Sequence, residues 1–246
     1  MKRSGRRLVL WILAALPALL AAGFLLYAAV YYRADQTALD ALCSDERVQI
    51  SRTDYGWFFD GPAEDRALIF YPGGKVEETA YAPLLRMLAE QGTDVCLVKM
   101  PLRLAVLAPG RAELVLAEHD YETWYIGGHS LGGTIAASYA AEHPGAFRGL
   151  ALLAAYPIRP LDPELHVLSV YGSEDGVLSR ERLAEGEQYF PENVLILEIP
   201  GGNHAQFGSY GPQRGDGQAL IRPEEQWAET AALLAETAPA LASGPK

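Results

Sequence analysis

A Gly-x-Ser-x-Gly pentapeptide is the feature of the sequence that most directly indicates chemistry. Residues 128–132 read Gly-His-Ser-Leu-Gly, with an apolar run at 124–127 before them and a small-residue segment at 133–137 after them. This context predicts a strand, a sharp turn and a helix. A serine on such a turn stands clear of the sheet, and the flanking glycines leave room for its strained backbone. We therefore predict that Ser130 is a nucleophile, with an ordinary helix N-cap serine as the alternative.

A serine hydroxyl is a poor nucleophile until a base accepts its proton, so a histidine must accompany it. His204 ends a Gly-Gly-Asn-His run directly after the last predicted strand, at the sheet edge where open α/β folds bind ligands. We predict His204 as the general base. The other four histidines have simpler interpretations, in the turn itself, at helix ends or at the start of a strand: His129, His119, His143 and His166.

The histidine needs an acidic partner that holds its tautomer and stabilises the imidazolium. Residues 171–177, Tyr-Gly-Ser-Glu-Asp-Gly-Val, follow the penultimate predicted strand. Asp175 is the favoured acid, and Glu174 and Asp162 are the alternatives. The serine, the acid and the histidine would then follow one another along the chain, each after a predicted strand.

A second glycine turn, Pro-Gly-Gly-Lys at 72–75, follows the predicted strand 67–71. Glycines at this place let backbone N–H groups approach a bound carbonyl closely. We predict an oxyanion hole made by the N–H groups of Gly74 and Leu131. The N–H of Lys75 is a competing donor, and an ordinary tight turn is the alternative. A phosphate loop is excluded because no serine or threonine follows the lysine.

Three more residues are predicted to contact a substrate. Phe207 and Tyr210 lie in the glycine-punctuated loop 205–211, where they wall an acyl pocket or simply pack the loop. Lys75 meets an anionic substrate or solvent. Because no Cys-x-x-Cys or Cys/His ligand spacing is present, we predict no metal and no cofactor.

Short β-rich runs alternate with helical segments through the rest of the chain. Several runs are apolar throughout, which is typical of parallel strands covered on both faces. The pattern predicts a doubly wound, mostly parallel α/β sheet of about eight strands with an antiparallel start. The predicted strands are 47–53, 55–60, 67–71, 94–100, 124–127, 149–155, 167–171 and 194–199, and the predicted helices are 77–91, 111–119, 131–143, 179–190 and 223–237.

Charge is unevenly distributed along the chain. The net charge is −11, yet residues 1–7 carry four basic groups, residues 8–32 carry none, and residues 33–246 carry 16 basic and 31 acidic groups. The acidic excess argues against a nucleic-acid partner. The uncharged segment of 25 residues would reach about 37 Å as a helix, enough for a hydrocarbon core of about 30 Å.

We therefore predict one transmembrane helix, a signal anchor at 8–32 that contacts the lipid bilayer. A cleaved signal peptide and a buried globular helix are the alternatives. The basic residues before the span place the N-terminus in the cytoplasm and the catalytic domain outside it, at the cell membrane. The predicted organisation is a cytoplasmic stub at 1–7, the anchor at 8–32, a linker at 33–46, the catalytic domain at 47–240 and a flexible tail at 241–246.

Cys43 and Cys96 are the two cysteines of the chain. In an oxidising compartment two cysteines can pair as a disulfide, and the sequence leaves open whether these two do. The alternative is a buried core thiol at Cys96, which lies in the apolar run 94–98.

Taken together, the serine turn, the acid loop, the Gly-Gly-Asn-His loop and the Pro-Gly-Gly turn resemble the α/β-hydrolase superfamily over about residues 47–240. Within it the chain is similar to the small, lid-less, dienelactone-hydrolase-like branch, because only residues 157–165 separate strand 149–155 from the next. It departs from dienelactone hydrolases proper, which use a cysteine where this chain has Ser130. It also has Tyr-Pro at 71–72 where many members have His-Gly.

The resemblance implies a serine hydrolase that acts on a small-molecule ester or a related acyl bond through an acyl-enzyme intermediate. An acyltransferase would use the same three residues and pass the acyl group to another alcohol or amine. A membrane-tethered binding module without activity is the remaining alternative, and it predicts a missing catalytic residue.

Overall fold

The computed structural model describes residues 2–62 and 65–242, and the side chains of residues 2–10, 12 and 237–242 are outside this description. The chain divides between Tyr31 and Tyr32 into two compact units. The predicted tail at 241–246 lies mostly outside the described residues.

The first unit contains helix α1, Lys2–Ala29, with Pro17 inside it. Many of its large apolar side chains are exposed: Trp11, Leu13, Leu16, Leu19, Leu20, Phe24, Leu25, Leu26 and Tyr27. In the part of the chain that the structure describes, no helix has both the length and the apolar character needed to traverse a bilayer. The predicted span at 8–32 is therefore not confirmed.

In the second unit, eight strands of the described residues form one sheet in the order β1-β2-β4-β3-β5-β6-β7-β8. The strands are β1 Gln49–Arg52, β2 Gly56–Asp60, β3 Arg66–Tyr71, β4 Asp94–Val98, β5 Thr123–His129, β6 Gly149–Leu153, β7 His166–Gly172 and β8 Val194–Ile199. β1 pairs antiparallel with β2, and β2 with β4, while β3 to β8 are parallel. The predicted mostly parallel sheet of about eight strands is confirmed.

Helices cover both faces of this sheet, which explains why the central strands are apolar at every position. The helices of the second unit are α2 Gln36–Asp40, α3 Ala82–Glu90, α4 Ala112–Glu118, α5 Leu131–Glu142, α6 Arg180–Gly186 and α7 Pro223–Ala242. In β3, Leu68 and Phe70 join the core under α3 and α7, while Ile69 and Tyr71 join the core under α4 and α5.

Residues 33–46, predicted as a linker, belong to the compact unit that begins at Tyr32. They include α2, whose first turn is capped by Asp35 through a bond of 3.0 Å from the Ala38 N–H. The Ser209 hydroxyl also donates to Asp35, at 2.7 Å. This contact joins residues 174 positions apart, which is why the local pattern did not reveal it.

Two other features concern the cysteines and the cap. Both cysteines are free thiols, Cys43 exposed and Cys96 buried, so of the two alternatives the structure has the buried thiol and not the disulfide. Cys96 accepts a weak hydrogen bond from the Tyr55 hydroxyl at 3.5 Å.

Between β6 and β7, residues 154–165 form no helix, and no cap domain is inserted there.

Candidate active site

Ser130 lies on the turn between β5 and α5 in a strained backbone conformation, with φ 53° and ψ −124°. Its N–H donates to the Leu153 carbonyl at 2.9 Å. A Cβ on Gly128 would stand 2.4 Å from the Tyr71 carbonyl oxygen, and one on Gly132 would stand 2.3 Å from the same atom. Both glycines are therefore required by the close approach of β3 to the turn. The turn predicted from the pentapeptide is present.

A buried acid–base pair stands at the ends of β7 and β8. The Asp175 Oδ2 lies 2.9 Å from His204 Nδ1, and the two side chains are 0% and 2% exposed. The other carboxylate oxygen accepts from the N–H groups of Val177 at 2.9 Å and Leu178 at 2.7 Å. An ionised carboxylate only accepts, so Nδ1 carries the proton and Nε2 presents a lone pair. The histidine thus has the tautomer that a general base requires.

The Nε2 atom of His204 is buried and has no hydrogen-bond partner among the described residues. Ser130 and His204 therefore share no hydrogen bond in this structure. Catalytic hydrogen bonds are often long before substrate binds and tighten in the complex. The ring of His129, the residue that precedes Ser130, lies with its centroid 4.4 Å from that of His204, which puts the pair beside the serine turn.

The two alternative acids are occupied elsewhere. The Glu174 carboxylate accepts from the neighbouring Ser173 hydroxyl at 3.0 Å. Asp162 accepts from the N–H groups of Gly145 and Glu164, at 3.1 and 3.0 Å, in the connection between β6 and β7. Of the three candidates, Asp175 is the one hydrogen-bonded to the histidine.

Two backbone donors lie at the glycine turn and at the start of α5. The N–H groups of Gly74 and Leu131 have no acceptor in the part of the chain that the structure describes. A Cβ on Gly74 would stand 2.9 Å from Leu131 Cδ2, so the two residues are in contact. The competing donor, the Lys75 N–H, is already bonded to the Arg103 carbonyl at 2.8 Å. The geometry therefore favours Gly74 and Leu131 as the pair able to bind an oxyanion.

A buried tyrosine–histidine pair stands behind this turn, and sequence reasoning missed it. The Tyr81 hydroxyl accepts from the Gly73 N–H at 3.0 Å and lies 2.8 Å from His129 Nδ1. Burial raises the pKa of Tyr81 above its usual value, so the hydroxyl keeps its proton, and the tautomer of His129 sets which of the two groups donates. Burial, and then the nearby His204, hold the pKa of His129 well below 6.5, so this imidazole is neutral.

His129, interpreted from the sequence only as part of the turn itself, packs its ring against that of His204 and so lies at the site. The hydrogen bonds of Tyr81 connect the glycine turn to the residue that precedes the serine. Tyr81 is separated from His129 by 48 positions, and no local pattern in the sequence reveals such a pair.

The predicted substrate contacts lie in different surroundings. Phe207 is fully buried, with its ring centroid 5.5 Å from that of His129. Tyr210 is 7% exposed, and its hydroxyl donates to Gln213 at 3.0 Å. Lys75 has a positive φ of 61° and is partly buried. Their roles toward a substrate remain predictions.

Among the described residues, no group of three or more histidines, cysteines and acidic residues is arranged to hold a metal ion. A sequence profile described as the alpha/beta hydrolase family matches residues 67–228. No curated protein matches the chain significantly.

Several solved structures share the fold. The protein TT1662 from Thermus thermophilus has a TM-score of 0.57 and 15% identity, over 80% of this chain and 99% of that one. A bacterial membrane phospholipase A, described as a virulence factor, has a TM-score of 0.57 and 16% identity, over 99% and 100% of the two chains. A carboxylesterase from Mesorhizobium loti has a TM-score of 0.53 and 17% identity, over 79% and 99%. At these identities the likeness shows the fold alone.

Proposed function

We propose that this chain, which belongs to the alpha/beta hydrolase family, is a serine hydrolase that cleaves an ester or a related acyl bond. The observation that carries the proposal is the buried Asp175–His204 pair at 2.9 Å, whose Nε2 atom has no partner among the described residues. This nitrogen lies in a site that also holds the strained Ser130 turn and two backbone donors with no acceptor among the described residues. A buried base without a partner is costly for stability, and a reacting hydroxyl supplies the partner it lacks.

In the first half of the reaction, Ser130 Oγ attacks the carbonyl carbon of the substrate while its proton passes to His204 Nε2. Asp175 stabilises the imidazolium that forms. The N–H groups of Gly74 and Leu131 donate to the oxyanion, and the loss of one such donor costs about 2.7–4 kcal/mol of transition-state stabilisation. His204 then protonates the leaving oxygen, the bond to the leaving group breaks, and the acyl group remains on the serine.

In the second half, His204 Nε2 accepts a proton from water as the water oxygen attacks the acyl carbon. The bond to the serine oxygen breaks, and the proton on His204 returns to Ser130. The products are a carboxylic acid and the unmodified enzyme, and the cycle uses no group from outside the chain other than water.

Turnover of a small chromogenic ester tests the proposal. We expect Ser130→Ala to lower kcat by about 10⁴-fold or more, because the acyl-enzyme no longer forms. Ser138→Ala is the matched control, since the Ser138 hydroxyl donates to the Thr134 carbonyl within α5, one helical turn or more away from the serine turn. Unchanged turnover in Ser130→Ala would sink the assignment. Product analysis with an added alcohol separates hydrolysis, which yields the free acid, from transfer, which yields a new ester.

We further propose that α1 holds the catalytic unit at the outer side of the cell membrane. Supporting features are the exposed apolar side chains of α1 and the basic residues at 2–7, which precede the uncharged segment. Protease added to intact cells should degrade the catalytic unit, and alkaline carbonate should leave the chain in the membrane fraction. Protection until lysis would overturn the orientation, and release by carbonate would overturn the anchor.

A further inference from the structure

The carboxylate of Asp216, in the connection between β8 and α7, joins the two loops that carry the acid and the base. Its Oδ1 accepts from the N–H of Gly176 at 3.1 Å, in the acid loop, and from the N–H of His204 at 3.3 Å. Its Oδ2 accepts from the N–H of Ala205 at 2.8 Å. Hydrogen bonds to an ionised acceptor are about twice as strong as neutral ones, so this one side chain ties both loops together.

The segment around Asp216 is packed without free space against the acid loop. A Cβ on Gly217 would stand 2.0 Å from the Glu174 carbonyl oxygen, and one on Gly176 would stand 2.7 Å from the Gly215 carbonyl oxygen. Gly215 itself has a φ of +90°. Glycines therefore bring this segment close enough for the carboxylate to reach both loops.

One more contact holds the same arrangement from the base loop. The Asn203 side-chain amide donates to the Gly217 carbonyl at 2.8 Å. A separate backbone bond, from the Glu174 N–H to the Gly202 carbonyl at 2.8 Å, also joins the loops. That bond lies before the catalytic residues of both loops, so it does not fix the residues at and after His204, which Asp216 contacts directly.

We propose that Asp216 is a positioning residue for the reaction, holding the Asp175 loop and the His204 loop in the one arrangement that keeps His204 Nδ1 on the acid. This inference rests on the proposed function of the site. Asp216 contacts backbone N–H groups rather than the reacting atoms, so it acts through His204. Its removal frees the histidine loop at two donors and the acid loop at one. A displacement of about 1 Å at a catalytic group costs about 100-fold in rate.

Two substitutions of Asp216 should lower kcat to different extents. In Asp216→Ala all acceptors are lost, and we expect kcat to fall about 100-fold. In Asp216→Asn one oxygen remains to accept from Gly176 and His204. The amide nitrogen, however, is a donor and cannot accept from the Ala205 N–H. We expect kcat of this variant to fall about 10-fold. KM for a small ester should change by less than about twofold, because the Asp216 carboxylate is taken up by backbone N–H groups of the two loops.

Asp45→Asn is the matched control, because the Asp45 carboxylate also accepts two backbone N–H groups, from Arg47 at 2.8 Å and Val48 at 3.0 Å, before β1. Thermal unfolding of each full-length variant reports the cost in stability. If Asp45→Asn lowers kcat as much as Asp216→Asn does, the effect is a general loss of stability and the proposal is overturned.

Proton NMR of the His204 Nδ1–H reports the position of the ring without reference to turnover. In the wild type we expect a slowly exchanging downfield resonance, because Nδ1–H donates its hydrogen bond to a buried carboxylate. In Asp216→Asn and Asp216→Ala the resonance should broaden and exchange faster. Unchanged exchange in Asp216→Ala, or wild-type kcat in that variant, would overturn the positioning role. If the wild type is inert and the variants still show this NMR change, the proposed function is refuted, while the role of Asp216 in holding His204 on Asp175 still stands.

Discussion

Replacing the serine at the strained turn by glycine should stabilise the protein while abolishing its activity. Ser130 has φ 53° and ψ −124°, a conformation that disfavours any residue with a Cβ. Its hydroxyl makes no capping hydrogen bond to α5, so little is lost with it. Ser130→Ala keeps the Cβ and hence the strain, whereas Ser130→Gly removes both. The difference between the two variants therefore isolates the backbone strain.

The size of this difference follows from two opposing contributions. Strain at a non-glycine residue in this region costs about 1–3 kcal/mol. Glycine adds unfolded-state freedom that costs about 0.4–1 kcal/mol. We therefore expect the free energy of unfolding of Ser130→Gly to be about 0.5–2 kcal/mol larger than that of Ser130→Ala. For a domain of this size, each kcal/mol corresponds to a change of about 2–4 °C in Tm.

The assay is thermal unfolding of the two full-length variants in the same detergent buffer, followed by circular dichroism. Ser138 provides the matched control, because it lies inside α5 with ordinary helical backbone. There the sign should reverse, and Ser138→Gly should be less stable than Ser138→Ala by about 0.5–1 kcal/mol. If Ser130→Gly is no more stable than Ser130→Ala, the turn does not store strain and the reasoning fails.

Three further predictions test other parts of the structure. Tyr81→Phe leaves the buried Gly73 N–H and His129 Nδ1 without their partner. Denaturant unfolding should therefore show that the free energy of unfolding falls by about 1–3 kcal/mol, and kcat for a small ester should be reduced. Full stability of the variant would contradict the hydrogen-bonded pair. His129 has a pKa held well below 6.5 in the folded protein, so below about pH 6.5 the unfolded chain binds a proton that the folded one excludes, and stability should fall as the pH falls. His129→Gln should flatten this dependence, and an equal slope in the variant would refute the assignment. Burial raises the pKa of the Cys96 thiol to about 12. A maleimide should therefore modify only Cys43 in the native protein and both thiols after denaturation. Labelling of the native Cys43→Ser variant would contradict the burial of Cys96.

The sequence was informative where chemistry depends on local spacing. A glycine-flanked serine between a strand and a helix, and loops that follow the last two strands, place their residues at one edge of a parallel sheet whatever the details of packing. The apolar runs predicted the central strands because helices cover both faces of the sheet at those positions.

Local spacing could not decide what depends on contacts between distant segments. Asp175 and Glu174 are neighbours in the same loop, and the N–H groups of Val177 and Leu178 fix which of them meets His204. The Asp216 carboxylate reaches Gly176 across 40 positions. Such pairs arise only when the strands bring their loops together.

Covalent labelling by a fluorophosphonate tests the central claim, that Ser130 is a nucleophile activated by His204, most directly. Intact-mass and peptide analysis of the wild type should show one adduct on the peptide that contains Ser130. Ser130→Ala should acquire no adduct, and His204→Gln should react far more slowly while it remains folded. A wild type that is folded yet acquires no adduct, an adduct on another residue, or undiminished labelling of His204→Gln would contradict the account.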